Sequence, residues 1–229
     1  YCQLAERYDR MQDYTAKLHA AQTGLKKYPQ SPSANDLKEQ AAEVLTPRLM
    51  VEIPFAYPAR EVDLKVKYRN LTGLTVELYR MNLPVTSNIL EREITASTVS
   101  QYGKLVGTRH YQLAATPDYM ETDTLLRYKF PTEGIYILKS IPDGHSKYTA
   151  YGKAYVSSLQ AISLGLPGGK QEINIIDRLT GHPVAGTEVA YYRVLQGEGY
   201  RLVKAYPADS KGTVTLTPPC LLYTSPSPR

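Results

Sequence analysis

The sequence contains no tryptophan, and only two phenylalanines and two cysteines among its 229 residues. So few cysteines exclude a small disulfide-rich scaffold. The net charge of +5 comes from 27 basic and 22 acidic residues spread along the chain, which argues against a nucleic-acid partner. No signal peptide or membrane-spanning stretch is found in the sequence, which says nothing about the location of the protein. We expect no membrane contact from these residues.

Twenty tyrosines contrast with this shortage of other aromatic residues. A tyrosine combines an apolar ring with a hydroxyl group that tolerates water, so it suits strands that have one face in solvent. We interpret most of the tyrosines as sheet surface and rim. An aromatic platform that binds a sugar or a protein is the alternative.

The two ends of the sequence suggest a piece of a longer protein. The final residues, C-L-L-Y-T-S-P-S-P-R at 220–229, match the in-frame translation of a sequencing-library adapter. We therefore interpret residues 220–229 as an artefact and exclude them from the reasoning. Without Cys220 a single cysteine remains, so no disulfide framework is expected, and the start at Tyr1 leads us to expect that the true N-terminus is missing.

The N-terminal residues have a helical pattern. Apolar residues recur at steps of three, four and seven from Gln3 to Lys27. After a break at Tyr28, Ser31 and Pro32 predict the N-cap and the first residue of a second helix, which ends before Thr46. We expect residues 1–46 to form a helical pair similar to the end of a tetratricopeptide-like repeat.

The clearest strand in the sequence runs from Val62 to Tyr68. Its apolar and charged positions alternate strictly, as V-D-L-K-V-K-Y. This alternation predicts that Val62, Leu64, Val66 and Tyr68 face a core while Asp63, Lys65 and Lys67 face water. The segment 70–73 predicts a hairpin turn into a second strand that carries Leu74, Val76 and Leu78. Asn70 also begins a glycosylation sequon, which we interpret as a turn asparagine.

Further strands complete a first sandwich over residues 47–149. They are expected at 48–53 as an edge strand, and at 104–113, 123–130 and 134–140. A short helix is expected near 87–94 or 98–102. We expect residues 150–155 to carry the chain across to a second domain.

The second domain is expected to be a truncated sandwich over residues 150–219. A strand at 173–177 is followed by a corner in which Asp177 binds backbone amides and Gly181 takes a positive φ. A second strand follows from Thr187, and 209–212 repeats the corner before another strand. The glycine-rich segment 165–169 follows a strand at 158–164 and is no phosphate cradle, because the next element is again a strand.

Residues with chemical potential are isolated in the sequence. The histidines His19, His110, His145 and His182 are scattered singly, and no metal-binding or nucleophile motif accompanies them. The carboxylate pairs Glu91 with Glu93 and Glu121 with Asp123 lie in polar surroundings typical of solvated surface. Cys2 lacks a partner that would activate it. We therefore predict no catalytic, cofactor-binding or metal-binding residue and no enzyme activity.

Several segments resemble the macroglobulin domains of bacterial alpha-2-macroglobulin-family proteins, in particular the envelope forms of Bacteroidetes. They are D-R-L-T-G-H-P-V-A-G at 177–186, Y-V-S-S-L-Q-A-I at 155–162, V-K-Y-R-N at 66–70, L-Y-R at 78–80 and F-P-T-E-G-I-Y-I-L-K at 130–139. The pattern D-x-x-T-G-x-P-V-x-G also occurs in carboxypeptidase-regulatory-like and other sandwich modules. The order of a helical pair followed by two sandwiches is the family's arrangement.

This resemblance implies a fold and a role. The fold is mainly β, with tandem immunoglobulin-like or fibronectin-like sandwiches, and the parent protein traps or inhibits attacking endopeptidases in the periplasm or cell envelope, with a lipid anchor as one possibility. The family's cleavable bait region and its Cys-Gly-Glu-Gln thioester motif are not found in this sequence. The piece is thus expected to be a scaffold whose partners are proteases, through the parent, and other domains of the same chain.

Two other interpretations stay open at the level of the sequence. The chain could belong to a binding, adhesion or structural protein of stacked sandwiches that uses its tyrosine-rich faces. It could also be an accessory part of a large secreted enzyme whose catalytic domain lies elsewhere.

Overall fold

A computed structural model describes residues 1–83, 89–91, 93–195 and 199–217 of the chain. The described residues divide into two compact units. The first comprises residues 1–82 and 93–156, and the second comprises those of 157–217 with Leu83 and 89–91. The proposed adapter segment, 220–229, lies outside the described residues.

Three helices open the first unit: α1 (Cys2–Arg10), α2 (Tyr14–Lys27) and α3 (Ala34–Leu45). Their shared core contains Leu18, Ala21, Leu37, Ala41 and Val44. Tyr119, from a loop of the following sandwich, packs against the same core. The helices and the sandwich are therefore joined by packing as well as by the chain.

The predicted helical pair is wrong, because the first predicted helix is broken into two. Gln12 takes a left-handed φ of 56°, and the Asp13 carboxylate accepts a hydrogen bond from the Ala16 N–H at 2.9 Å, which caps α2. The third helix begins at Ala34, two residues after the predicted Pro32, and Ser33 at its N-cap position makes no side-chain capping hydrogen bond. Sequence periodicity missed the break because the apolar spacing continues across it.

A two-sheet sandwich forms the rest of the first unit. One sheet has the order β1-β2-β5, and the other has the order β4-β3-β6-β7. All pairings within them are antiparallel. The strands are β1 (Arg48–Glu52), β2 (Glu61–Arg69), β3 (Gly73–Met81), β4 (Gly103–Gln112), β5 (Thr122–Lys129), β6 (Gly134–Pro142) and β7 (Ala150–Val156).

The predicted register of β2 is confirmed. Leu64, Val66 and Tyr68 are buried and Val62 is half-buried, whereas the charged residues between them are exposed. Strand β1 lies at the edge of its sheet, as predicted. The core also contains the ring series Tyr128, Phe130 and Tyr136, whose neighbouring centroids are 5.4 and 5.6 Å apart.

The predicted hairpin between β2 and β3 is wrong. Strand β2 pairs with β1 and β5, and β3 pairs with β4 and β6, so the segment 70–73 is an arch from one sheet to the other. Both arrangements reverse the chain and bury the same alternate side chains, so the sequence pattern does not distinguish them. Asn70 has a left-handed φ of 58° in this arch, in agreement with its interpretation as a turn asparagine.

The first sandwich is longer than predicted. Residues 150–155 were expected to cross to the second domain, but they belong to β7, which pairs with β6 along its whole length. The expected short helix at 98–102 is present as α4 (Ala96–Tyr102). The alternative position at 87–94 falls partly outside the described residues, with a single 3-10 turn at Ile89–Glu91.

The second unit contains a sheet of order β12-β9-β8 and a two-stranded ribbon of β10 and β11. The strands are β8 (Leu159–Gly165), β9 (Gln171–Asp177), β10 (Glu188–Leu195), β11 (Gly199–Pro207) and β12 (Thr213–Leu216). A small core of Ala208, Val214 and Leu216 contacts side chains from both sheets. Described as a fold class, the chain is mainly β with antiparallel sandwiches, as predicted.

The corner after β9 confirms two predictions. Gly181 has a φ of 71°, and the Asp177 carboxylate accepts hydrogen bonds from the N–H groups of Leu179 and Thr180 at 3.0 and 2.9 Å. These bonds, those of Thr180 foremost, lower the pKa of Asp177. Asp209 accepts from the N–H groups of Lys211 and Thr213 in the same way. Strand β10 then pairs with β11 and not with β9, so this corner also leads from one sheet to the other.

Candidate functional site

A cleft of about 370 Å³ lies in the first unit, between the helices and the sandwich. Helices α1 to α3 contribute one wall, and β1, β2 and the loop before β5 contribute the other. Its lining residues are Asp9, Gln12, Tyr14, Lys17, Glu43, Val44, Arg48, Arg69, Met120 and Glu121. We call this feature the helix–sandwich cleft.

Lys17 is a buried cation at the helical wall of the cleft. Only 3% of its side chain is exposed, and its Nζ donates to the carboxylates of Asp9 at 2.6 Å and Glu43 at 2.7 Å. Burial by itself would lower the pKa of Lys17, but the hydrogen bonds and charges of the two carboxylates outweigh it and raise the pKa. Lys17 thus ties α2 to both α1 and α3.

Arg69 and Asn70, at the end of β2, cap the C-terminus of α3. The Arg69 Nη2 donates to the Glu43 carbonyl at 2.7 Å and the Thr46 carbonyl at 3.3 Å. The Asn70 Nδ2 donates to the Val44 carbonyl at 2.7 Å. These carbonyls belong to the last turn of a helix, where no backbone N–H is available within the helix to satisfy them. The sandwich therefore supplies the donors that the helix end lacks.

Arg69 is also buried, with 4% of its surface exposed. Burial lowers the pKa of Arg69, as does the positive charge of the neighbouring Arg48. Its guanidinium lies 6.0 Å from the centre of the Tyr14 ring, a favourable position for a cation over an aromatic face. The Nε atom of Arg69 is buried and has no hydrogen-bond partner among the described residues.

Glu121 holds the outer end of the cleft. Its carboxylate accepts from Arg48 at 2.9 Å and forms an ion pair with Lys67 at 3.3 Å. Arg48 foremost, and then Lys67, lower the pKa of Glu121. Glu121 is exposed, as predicted, but its carboxylate also links β1, β2 and the loop before β5. Glu91, Glu93 and Asp123 are exposed, as predicted.

The side chains that line the cleft are suited to binding polar groups and to connecting the helices with the sandwich. It contains cations and carboxylates but no serine, cysteine or histidine among its lining residues. Within the described part of the chain, no group of three or more potential metal ligands comes together. The three cations and three carboxylates of the lining balance in number, and most of them pair directly.

Two other predicted residues have particular surroundings. His110, expected to be isolated, lies with its Nε2 2.7 Å from the Asp143 carboxylate on the sandwich surface. A side chain at Gly73 would clash with this pair, since its Cβ would overlap an Asp143 carboxylate oxygen. Cys2 is a free, half-buried thiol whose Sγ lies 3.7 Å from the Ser33 carbonyl.

Sequence reasoning missed Lys17 and Arg69. The available signal for Lys17 was its position four residues before Ala21, on the apolar stripe of the helix. Arg69 follows the exposed Lys65 and Lys67 at a spacing of two residues, so the alternation of the strand predicted a side chain in solvent. Its burial arises only because α3 covers the end of β2.

Comparison with known proteins finds solved structures with a similar fold. The chain is similar to native alpha-2-macroglobulin from Escherichia coli spanning domains MG0-NIE-MG1, with a TM-score of 0.56 and 16% identity over 74% of this chain and 57% of that structure. A second structure of the same protein, spanning NIE-MG1, gives a TM-score of 0.48 and 15% identity over 74% of this chain and 86% of that one. No protein-family profile and no curated protein sequence matches the chain.

These similarities concern the fold. No helix in the described part of the chain has the length and apolar character needed to span a membrane. The match spans little more than half of the MG0-NIE-MG1 structure, so the activity of that protein does not transfer with the fold. The chain has a macroglobulin-like β-sandwich fold.

Proposed function

We propose that this chain is a scaffold segment of a macroglobulin-like cell-envelope protein, of the Bacteroidetes type, whose complete form inhibits or traps endopeptidases. The observation that supports the proposal is the similarity of the fold to the MG0-NIE-MG1 structure, together with the sequence segments that resemble macroglobulin domains. A periplasmic or envelope location, with proteases as partners of the parent, belongs to the same proposal.

The polar contacts between the helices and the sandwich of the first unit are more typical of a structural scaffold than of a catalytic site. The polar side chains of the helix–sandwich cleft cap a helix end and connect neighbouring elements. Such contacts hold parts of a protein at fixed positions. We therefore propose that the chain has no enzyme activity of its own.

The test compares the isolated chain with a longer protein that contains it. Digestion of a fluorescent protein substrate by trypsin or subtilisin is followed with increasing amounts of each. We expect the 229-residue chain to leave the digestion rate unchanged and the longer protein to slow it at roughly equal molar amounts. Stoichiometric inhibition by the chain alone would overturn the scaffold role. A longer protein that protects against no endopeptidase would overturn the inhibitor role.

One observation favours the alternative of a binding or adhesion protein. The ribbon of β10 and β11 exposes apolar side chains, with Val194 at 70%, Leu202 at 49% and Val203 at 44% exposure. Exposed apolar groups that lie together often mark an interaction surface. Binding of the chain to polysaccharide or cell-surface preparations, lost in a Val194→Ser, Leu202→Ser variant of unchanged stability, would support this alternative.

A further inference from the structure

Arg69 is a buried cation that forms no ion pair with any carboxylate among the described residues. Its two hydrogen bonds go to neutral backbone carbonyls, and none of the ion pairs among the described residues includes it. Its buried Nε has no acceptor. A buried charge ordinarily has an ionic or fully hydrogen-bonded partner, because leaving water is costly for an ion. Arg69 lacks such a partner although it lines a cleft large enough for one.

The positive charge is concentrated at one end of the helix–sandwich cleft. Arg48 and Arg69 are directly opposite each other in the β1–β2 pairing, and Lys67 lies two residues before Arg69. Among the described residues, Glu121 is the carboxylate that pairs with both Arg48 and Lys67. The other two carboxylates of the lining, those of Asp9 and Glu43, are paired with Lys17, and the backbone carbonyl of Glu43 also accepts a hydrogen bond from Arg69. We call the part of the cleft lined by Arg48 and Arg69 its basic end, where Arg48 is paired with Glu121 and Arg69 forms no ion pair among the described residues.

The walls next to Arg69 are partly apolar. Val44, Met120 and Tyr14 line the cleft, and the Tyr14 ring lies 6.0 Å from the guanidinium. A volume of about 370 Å³ falls within the range of small-molecule sites. An anion with a compact apolar part can therefore contact both the charge and the walls.

We propose that the basic end of the helix–sandwich cleft binds a carboxylate attached to a small apolar group, with the Arg69 guanidinium as its principal ligand and Arg48 as a second cation. The planar guanidinium fits the two oxygens of a carboxylate. A doubly charged phosphate fits less well, because Glu43, Glu121 and Asp9 line the same cleft and would repel it more strongly. The carboxylate could belong to a free organic acid or to the C-terminus of a peptide chain.

The direct test follows the arginine Nε–Hε signals by two-dimensional ¹H–¹⁵N NMR while isovalerate is added to the full chain at constant ionic strength. The Arg69 signal is identified by its loss in Arg69→Lys. We expect a saturable shift of this signal with isovalerate and no saturable shift with the neutral isovaleramide or with chloride. A shift that rises linearly, or that is equal for isovalerate and isovaleramide, would overturn the proposal.

A second variant keeps the test valid if Arg69→Lys fails to fold, since Arg69 also caps α3. Arg48 is more than half exposed, so Arg48→Gln is expected to fold and to weaken isovalerate binding up to about fivefold, the order of one ion pair. The matched control is Lys129→Gln, at the far end of β5, an exposed cation that does not line the cleft. Equal weakening by both variants would indicate general screening and overturn the site.

The source of the carboxylate is tested with a tripeptide, acetyl-Ala-Ala-Leu, as the free acid and as the C-terminal amide. Binding of the free acid at least as tight as that of isovalerate, with no binding of the amide, would support a chain terminus as the natural ligand. Binding of isovalerate but of neither peptide would support a free organic acid. Failure of both isovalerate and the free-acid peptide would overturn the proposal, and it would leave the proposed scaffold function untouched.

Discussion

Asn70 offers a sharp test of how the helices are attached to the sandwich. Its Nδ2 donates to the Val44 carbonyl at 2.7 Å, and its backbone has a left-handed φ of 58°. The substitution Asn70→Asp keeps the shape and the tolerance for this φ but replaces the donor by a carboxylate that faces a helix C-terminus. It therefore isolates the polar contact from the conformation of the arch.

The cost at neutral pH follows from two contributions. Loss of the hydrogen bond removes about 0.5–1.5 kcal/mol, with more where the part-buried carbonyl finds no other donor. Repulsion between the carboxylate and the negative end of the α3 dipole adds about 0.3–1 kcal/mol. We expect Asn70→Asp to lower the free energy of unfolding of the first unit by about 2 kcal/mol at pH 7.

The loss of stability in Asn70→Asp is expected to be smaller at low pH. The carbonyls raise the pKa of the introduced carboxyl in the folded state, because they disfavour its charged form. The protonated carboxyl can donate to Val44, so part of the loss should return as the pH falls towards about 4. The reference is the wild-type chain at each pH, which removes the effect of other titrating groups.

The assay is urea unfolding followed by far-ultraviolet circular dichroism at pH 7 and pH 4, with amide hydrogen exchange over α3 as a local measurement. A loss of protection confined to α3 and its neighbours would place the effect at the joint. Asn70→Asp with wild-type stability at pH 7, or with a loss that grows at pH 4, would refute the capping role of Asn70.

Three further predictions use the same unfolding measurement. Gly181→Val should destabilise the second unit by about 1–2 kcal/mol, because Gly181 has a φ of 71°. Its control is Gly165→Val, which should be nearly neutral because φ is ordinary there and nothing lies within 4 Å of the added Cβ. Equal losses of stability in the two variants would contradict the predicted strain at Gly181. Ala59→Gly should leave the stability unchanged or raise it, since Ala59 has a left-handed φ of 56°. Its control is Ala42→Gly on the exposed face of α3, which should lower the stability by about 1 kcal/mol. A similar loss of stability in both variants would show that the left-handed conformation of Ala59 carries no strain. Because the pKa of Lys17 is raised in the folded state, its charge stabilises the fold below the ordinary lysine pKa, and this stabilisation is lost as the pH rises through the folded value. The stability of Lys17→Met should therefore fall less above about pH 10 than that of the wild type. Parallel pH profiles of the two proteins would refute this prediction.

The local features of the chain were predictable because they depend on neighbouring residues. The alternation from Val62 to Tyr68 set which side chains of β2 are buried, since side chains of a strand alternate between its two faces. The corner at Asp177 and Gly181 was predictable for a similar reason: a carboxylate that accepts nearby amides and a residue without Cβ are both local requirements.

The pairing of strands was not predictable in the same way. Strands β2 and β3 follow each other and bury the same alternate positions, yet they lie in different sheets. A hairpin and an arch satisfy the same local pattern, and the choice depends on β5 and β6, which lie more than fifty residues along the chain. The assignment of 150–156 to the first sandwich depends likewise on its pairing with β6.

The sequence by itself therefore determined the mainly β class, the faces of the strands and the chemistry of the turns, because each of these follows from residues a few positions apart. The tertiary structure alone decided which strands share a sheet and which polar residues form the helix–sandwich cleft. Arg69 shows the physical reason. At the end of an alternating strand its side chain would lie in water, and it becomes a buried cap only because α3 ends beside it with carbonyls in need of donors.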